Sequence, residues 1–189
     1  MPKALIFDCF GVLVGPSLGY LKSLAKNEND SQEISDINLQ ADLGFISKNE
    51  LLSGLSNILD IPEPDIWDIM KKKRLIMKNT VSFLNQKKHD GLKIGLLSNV
   101  AQDTLETIFM KEELKEMFDV MVLSYDTHLV KPDPEIYKLM AEKLGCPPGE
   151  CVMIDDSSEN IVGAKKSGME GIVFSSVEQL KKELKLLWL

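Results

Sequence analysis

ALIFDCFGVLV, residues 4–14, opens as an unbroken apolar run, reaches a carboxylate at Asp8 and turns at Gly11. A short apolar run without alternation reads as a strand buried on both faces, the signature of a parallel sheet. Comparable runs recur as LKIGLL at 92–97, VMVL at 120–123, CVMI at 151–154 and GIVF at 171–174. Helical patterns lie between them, and strand alternating with helix predicts an α/β fold. Helix ends are marked too. Asp133 before Pro134 is a helix start, and Ser176 with Gln179 has the spacing of a capping box. Gly145 and Gly168 fall where helices should stop.

Residues 16–80 break this rhythm, with helical patterns and no convincing strand. SKNELLSGLSNIL, at 47–59, starts with Ser47 and Glu50 as a capping box, and a second helix opens at Pro62 with Ile66, Ile69 and Met70 on one face. The expected organisation is a core made of 1–15 and 81–189, with a helical insertion at 16–80 after the first strand.

A chain of 189 residues, 44% of them hydrophobic, suits one domain with a modest insertion. Its net charge of −7 argues against a nucleic-acid surface, which needs clustered Lys and Arg, and points to small-molecule partners. The one basic block, KKKR at 71–74, reads as the solvated side of a helix. The start, MPKALIFD, lacks the features of a secretory signal, and no apolar stretch is long enough to span a bilayer, so a cytoplasmic location is expected. Cys9, Cys146 and Cys151 show no CxxC spacing and suggest neither a disulfide framework nor a zinc site. Cys9 should point away from Asp8 and pack. His89 and His128 read as surface or packing residues, and Trp67 and Trp188 as apolar anchors. Oligomeric state leaves no mark.

Four places carry polar residues directly after, or near, a buried run: Asp8; Ser98 and Asn99 in GLLSN; Lys131 in LVKPDPEIY; and Asp155 with Asp156 in VMIDDSSEN. Singly, each acid or hydroxyl could be a helix cap. Jointly, they gather at the carboxyl edge of the sheet, where open α/β sheets bind ligands. Unpaired like charges there raise carboxylate pKa values, whereas a bound cation holds the acids ionised. Mg²⁺ is the natural candidate.

In order and spacing, FDCFGVL, LLSN, VKPDPEIY and IDDSSENIVGAKKSGM resemble the four motifs of the haloacid dehalogenase superfamily, over nearly the whole chain. The resemblance implies a three-layer Rossmann-like core with a small all-helical cap at 16–80. It implies that Asp8 is the nucleophile, forming an aspartyl intermediate. Ser98 and Lys131 would contact the transferring phosphoryl group, and Asn99 would offer polar groups to it. Asp8, the backbone carbonyl of Phe10 and Asp156 would hold Mg²⁺, with Asp155 in support. The substrate would be a small phosphorylated metabolite, selected by cap residues.

Phe10 departs from the pattern, because phosphatases of the superfamily carry an Asp there that protonates the leaving group and then activates water. Such help is typically worth ~10²- to 10⁴-fold in rate. Asn160 also stands where many relatives place an acid. Three readings follow: a Mg²⁺-dependent phosphatase of low or selective activity; a metal-independent 2-haloacid dehalogenase; or a catalytically impaired binding protein. The second gains from Phe10, since dehalogenases of the superfamily carry an aromatic there. It loses from the acidic pair, and from the lateness of Arg74, the chain's one arginine, because those enzymes take the halide on an arginine early in the cap.

Overall fold

The computed structural model describes residues 2–187, so the expectation for Trp188 lies outside the described residues. Five strands, β1 (Ala4–Phe7), β2 (Lys93–Ser98), β3 (Val120–Leu123), β4 (Cys151–Asp155) and β5 (Glu170–Val173), form one sheet in the order β3-β2-β1-β4-β5. All neighbours pair in parallel. Every carboxyl end therefore lies on one edge, and the strand order reverses at β1. That is where an open α/β sheet places a ligand.

β1 shows why both faces are covered. Leu5 and Phe7 enter one apolar cluster, with Ile94, Leu96, Val152 and Ile154 from the neighbouring strands. Phe83 and Leu84 of α5 (Lys78–His89), Leu114 of α6 (Lys111–Met117), and Leu180 and Leu184 of α10 (Val177–Leu187) close that face. Ala4 and Ile6 point the other way, toward Tyr137 and Met140 of α8 (Pro134–Leu144) and Ile161 and Ala164 of α9 (Ser158–Lys166). The result is three layers, as the apolar runs require. The edge strands depart from two-face burial: Met121 in β3 is 37% exposed and Val173 in β5 is 44% exposed, because an edge strand has a neighbour on one side only.

Helix starts follow their local chemistry. Asp133 accepts the amide of Glu135 ahead of Pro134, and Ser47 and Glu50 form their reciprocal capping box. At the start of α10 only half of the expected box forms. Ser176 Oγ accepts from the Gln179 amide, but the Gln179 carboxamide oxygen reaches back one residue further, to the Ser175 N–H. Gly145 ends α8 in the left-handed region, and Gly168 lies there just past α9.

Between β1 and β2 run α1 (Leu18–Ser23), α2 (Glu28–Asp42), α3 (Lys48–Leu59) and α4 (Glu63–Lys73). They bury a cluster of their own, including Leu21, Ile34, Leu51, Leu55, Ile66 and Met70, that meets the core through Ala101. Trp67 packs on this cluster with the Lys48 ammonium 3.4 Å above its ring. The chain rejoins the core where Ile76 bridges Val14. Among the described residues no helix is long and apolar enough to cross a membrane.

Candidate active site

Asp8 follows β1 directly, and its amide continues the strand pairing by donating to the Ile154 carbonyl at 2.9 Å. The chain then turns back, with the amides of Leu13 and Val14 both donating to the Cys9 carbonyl. This leaves the Asp8 carboxylate at the sheet edge, 7% exposed. Its Oδ1 accepts from the Cys9 amide at 2.7 Å and from Lys131 Nζ at 2.8 Å. The same ammonium lies 2.6 Å from Oδ2 of Asp155, at the end of β4. Lys131 thus bridges two buried acids.

Lys131 sits on a loop, and two devices hold it. The Asn99 side chain clamps its backbone, accepting the Lys131 N–H at 2.8 Å and donating to its carbonyl at 3.0 Å. Helix α9 presses on the next residue at Gly163, where an added Cβ would lie 2.5 Å from the Pro132 carbonyl oxygen. Asp155 is equally committed, since its oxygens also accept from the Ser157 amide and the Asn160 side chain. An acid at position 160 would set like charges face to face, so the amide there is a working part of the site. Ser98 is fully buried, and its hydroxyl makes one long contact, 3.5 Å to the Asn99 carbonyl.

Burial by itself would lower the Lys131 pKa, but Asp8 and Asp155 outweigh it and hold the ammonium above its ordinary value. Burial pushes Asp8 up to about 7, with Asp155 adding to the shift and Lys131 opposing it. Asp156 is raised by partial burial and then by Asp155. The thiol of Cys9 is buried in the core and pushed far up, first by burial and then by Asp8, so it packs, as expected. His128 stacks on Phe45 with its Nδ1 2.7 Å from the Leu43 carbonyl, and His89 is exposed.

Oxygens of Asp8, Asp155 and Asp156 lie within 4.8 Å of one another. Three carboxylates against one ammonium make a strongly negative, all-oxygen recess, and this donor set suits a small hard dication. Gly11 leaves the space that Asp156 occupies. Its φ is +88°, and an added Cβ would lie 2.1 Å from Asp156 Oδ2. If the recess takes a dication such as magnesium, Gly11→Ala is expected to weaken its binding at least tenfold by calorimetry while the unfolding midpoint falls only a few degrees. Unchanged affinity would show that Asp156 needs no such room.

Beside Phe10 opens a cavity of about 210 Å³ whose lining includes Phe10, Asn99, Ser17, Asn38, Asp42 and Arg74. Arg74 corrects the reading of KKKR as a solvated face. Lys71, Lys72 and Lys73 are exposed, but the chain leaves α4 at Arg74 and turns its side chain inward. Nε donates to Ser17 Oγ at 3.1 Å, and the guanidinium carbon stands 5.2 Å from the centre of the Phe10 ring. Burial lowers its pKa to about 10, which leaves it charged at neutral pH.

The seven residues expected at the site do share one edge. Asp42, Asn38 and Arg74, from the insertion, were not among them. Asp42 left a faint signal, because an acid in the last turn of a helix opposes the dipole and gains nothing for stability.

A family model described as haloacid dehalogenase-like hydrolase matches residues 2–168. The chain belongs to this hydrolase family. The hydrolase is 36% identical over 81 residues to the pyrophosphatase PpaX of Bacillus cereus, a match covering 43% of this chain and 38% of PpaX, so it spans well under half of that relative. Its fold is that of a family enzyme from Bacteroides thetaiotaomicron solved with magnesium and inorganic phosphate (TM-score 0.74, 23% identity, 94% of this chain and 96% of the other). The L-2-haloacid dehalogenase of Xanthobacter autotrophicus is also similar (TM-score 0.64, 23% identity, 97% and 82% covered).

Proposed function

We propose that this hydrolase is a Mg²⁺-dependent phosphatase of small phosphomonoesters, working through an aspartyl-phosphate on Asp8. The supporting observation is one buried ammonium shared by Asp8 and Asp155, with Asp156 left open beside them. Asp8 attacks the phosphorus, and Lys131 and Ser98 contact the phosphoryl oxygens. Lys131 also orients the Asp8 oxygen and opposes, without cancelling, the rise in its pKa that burial causes. Asp8, Asp156 and the Phe10 carbonyl would hold the ion, with Asp155 in support through Lys131. Bound there, magnesium would reduce the repulsion between an attacking carboxylate and an anionic ester. Residues 16–80 act as a cap over a core of 1–15 and 81–189, and the cavity they share receives the leaving group.

The dehalogenase reading is favoured by one observation, the placement of Arg74 against the Phe10 ring, which removes the objection from its late position in the chain. The acidic recess opposes it, since a carboxylate substrate would enter beside three carboxylates. The two readings part in one experiment that follows phosphate release from p-nitrophenyl phosphate and chloride release from 2-chloropropionate, with and without Mg²⁺. Phosphate release that requires Mg²⁺ is expected. Chloride release without metal, and no phosphate, would replace the phosphatase with a dehalogenase.

A further inference from the structure

Phe10 has no proton to give, yet an alkoxide cannot leave readily without one. The cavity beside it contains another carboxyl group. We propose that Asp42, at the last turn of α2, donates the proton to the leaving oxygen and then takes one from the attacking water, a role that rests on the phosphatase reading above.

Asp42 shares its cavity with Phe10 and Asn99, whose neighbour Ser98 ends β2. Its position is fixed from the core side. The Asp42 carbonyl accepts from Ser124 Oγ, and that hydroxyl also accepts the Val100 amide at 2.9 Å. One serine therefore ties the end of α2 to the loop that follows Ser98. The carboxyl group itself is held on one side only. Asn38 donates to Oδ2 at 2.8 Å, while Oδ1 makes no hydrogen bond among the described residues. A cavity-lining carboxyl group that is held through one oxygen and has no hydrogen bond to the other can serve as a proton donor.

Its charge state suits both halves of the cycle. Burial raises its pKa to about 7, Asp8 adds to the shift, and Arg74, Lys131 and the Asn38 hydrogen bond oppose it. Those groups reach it from the end of α4, from the turn after β1, from the loop before α8 and from its own helix. The helices packed against α2 add Ser17 before α1, Leu51 from α3 and Ser124 from α7 (Ser124–Thr127), all neutral, with His128 just beyond. A pKa near working pH lets one group serve as acid and then as base.

The proton count balances. As Asp8 bonds to phosphorus and the ester P–O bond breaks, the Asp42 proton passes to the departing oxygen, giving the alcohol and an Asp42 carboxylate. Water then attacks the aspartyl phosphate. Its proton returns to Asp42, and the P–O bond to Asp8 breaks to release phosphate.

The test compares the first turnover of p-nitrophenyl phosphate, whose leaving group needs little protonation, with that of ethyl phosphate, in wild type and Asp42→Asn. The variant should lose less than tenfold on the first ester and ~10²-fold or more on the second. With ethyl phosphate, wild-type kcat/KM should fall as pH rises through about 7, because the protonated acid disappears, and Asp42→Asn should lack that limb. Arg74→Gln should move the limb upward by removing an opposing cation. Phe10→Asp added to Asp42→Asn should restore part of the ethyl phosphate rate, which a misfolded variant could not do. Equal losses on both esters, or a limb that survives in Asp42→Asn, would overturn the role of Asp42 alone. Wild-type protein that releases phosphate from neither ester would overturn the phosphatase reading and this role with it.

Discussion

Asp8→Asn is expected to lower phosphate release on the order of 10⁴-fold or more, with every ester, because the proposed reaction forms its covalent intermediate on the Asp8 carboxylate. The variant should remain folded. An amide oxygen still accepts from the Cys9 N–H and from Lys131, and Lys131 keeps its partner Asp155 at 2.6 Å. It should also change how stability depends on pH. The Asp8 pKa rises from 3.8 to about 7 on folding, so between those values the folded protein retains a proton that the unfolded chain has lost. Stability without divalent metal therefore falls as pH rises from about 4 to about 7. Asp8→Asn should flatten that decline in part, and Asp42 and Asp156, both raised in the same direction, should keep the remainder. Unfolding in EDTA across this range, beside a phosphate-release assay, reads both effects. Residual turnover within tenfold of wild type would remove Asp8 as nucleophile.

Lys131→Met acts mainly on stability. Removing the ammonium leaves Asp8 and Asp155 buried without their shared cation, and stranding one side of a buried ion pair typically costs about 3–5 kcal/mol. For a chain of this size that corresponds to a fall in Tm of roughly 10 °C. The deficit should shrink in acid, where protonation of Asp8 relieves the repulsion, and with added magnesium, which supplies charge of the missing sign. Thermal unfolding at pH 5 and pH 8, in EDTA and in magnesium, separates these contributions. A midpoint at pH 8 in EDTA close to that of wild type would mean that Lys131 does not hold the acids together. Asn99 gives a contrast, because it binds the Lys131 backbone and carries no charge.

The site divides into a half visible in the chain and a half that was not. Asp8, Ser98 and Asp155 could be read because each ends an apolar run. In a parallel sheet all such ends share an edge, so reading the strands was enough to bring them together. Asn99, Asp156 and Phe10 came with the same turns, whereas Lys131 lies on the loop before α8 and was legible only through the VKPDPEIY motif. The tasks of the acid pair were less legible: both follow CVMI, but only contacts show Asp155 taken up by Lys131, Ser157 and Asn160 while Asp156 stays open. The partial exposure of the edge strands was not legible, since an apolar run does not say whether its strand has one neighbour or two.

What the sequence determined by itself is therefore the α/β core and the residues at its carboxyl edge, because strand periodicity and position along a strand are local properties of the chain. Tertiary structure alone decided that Asp42 and Arg74 face that edge. Their direction depends on how α2 and α4 pack on each other and on the core, through Ala101, Ser124 and the bridge from Val14 to Ile76. No local pattern encodes such long-range packing, and a lysine-rich helix end gives no hint that its last cation turns inward.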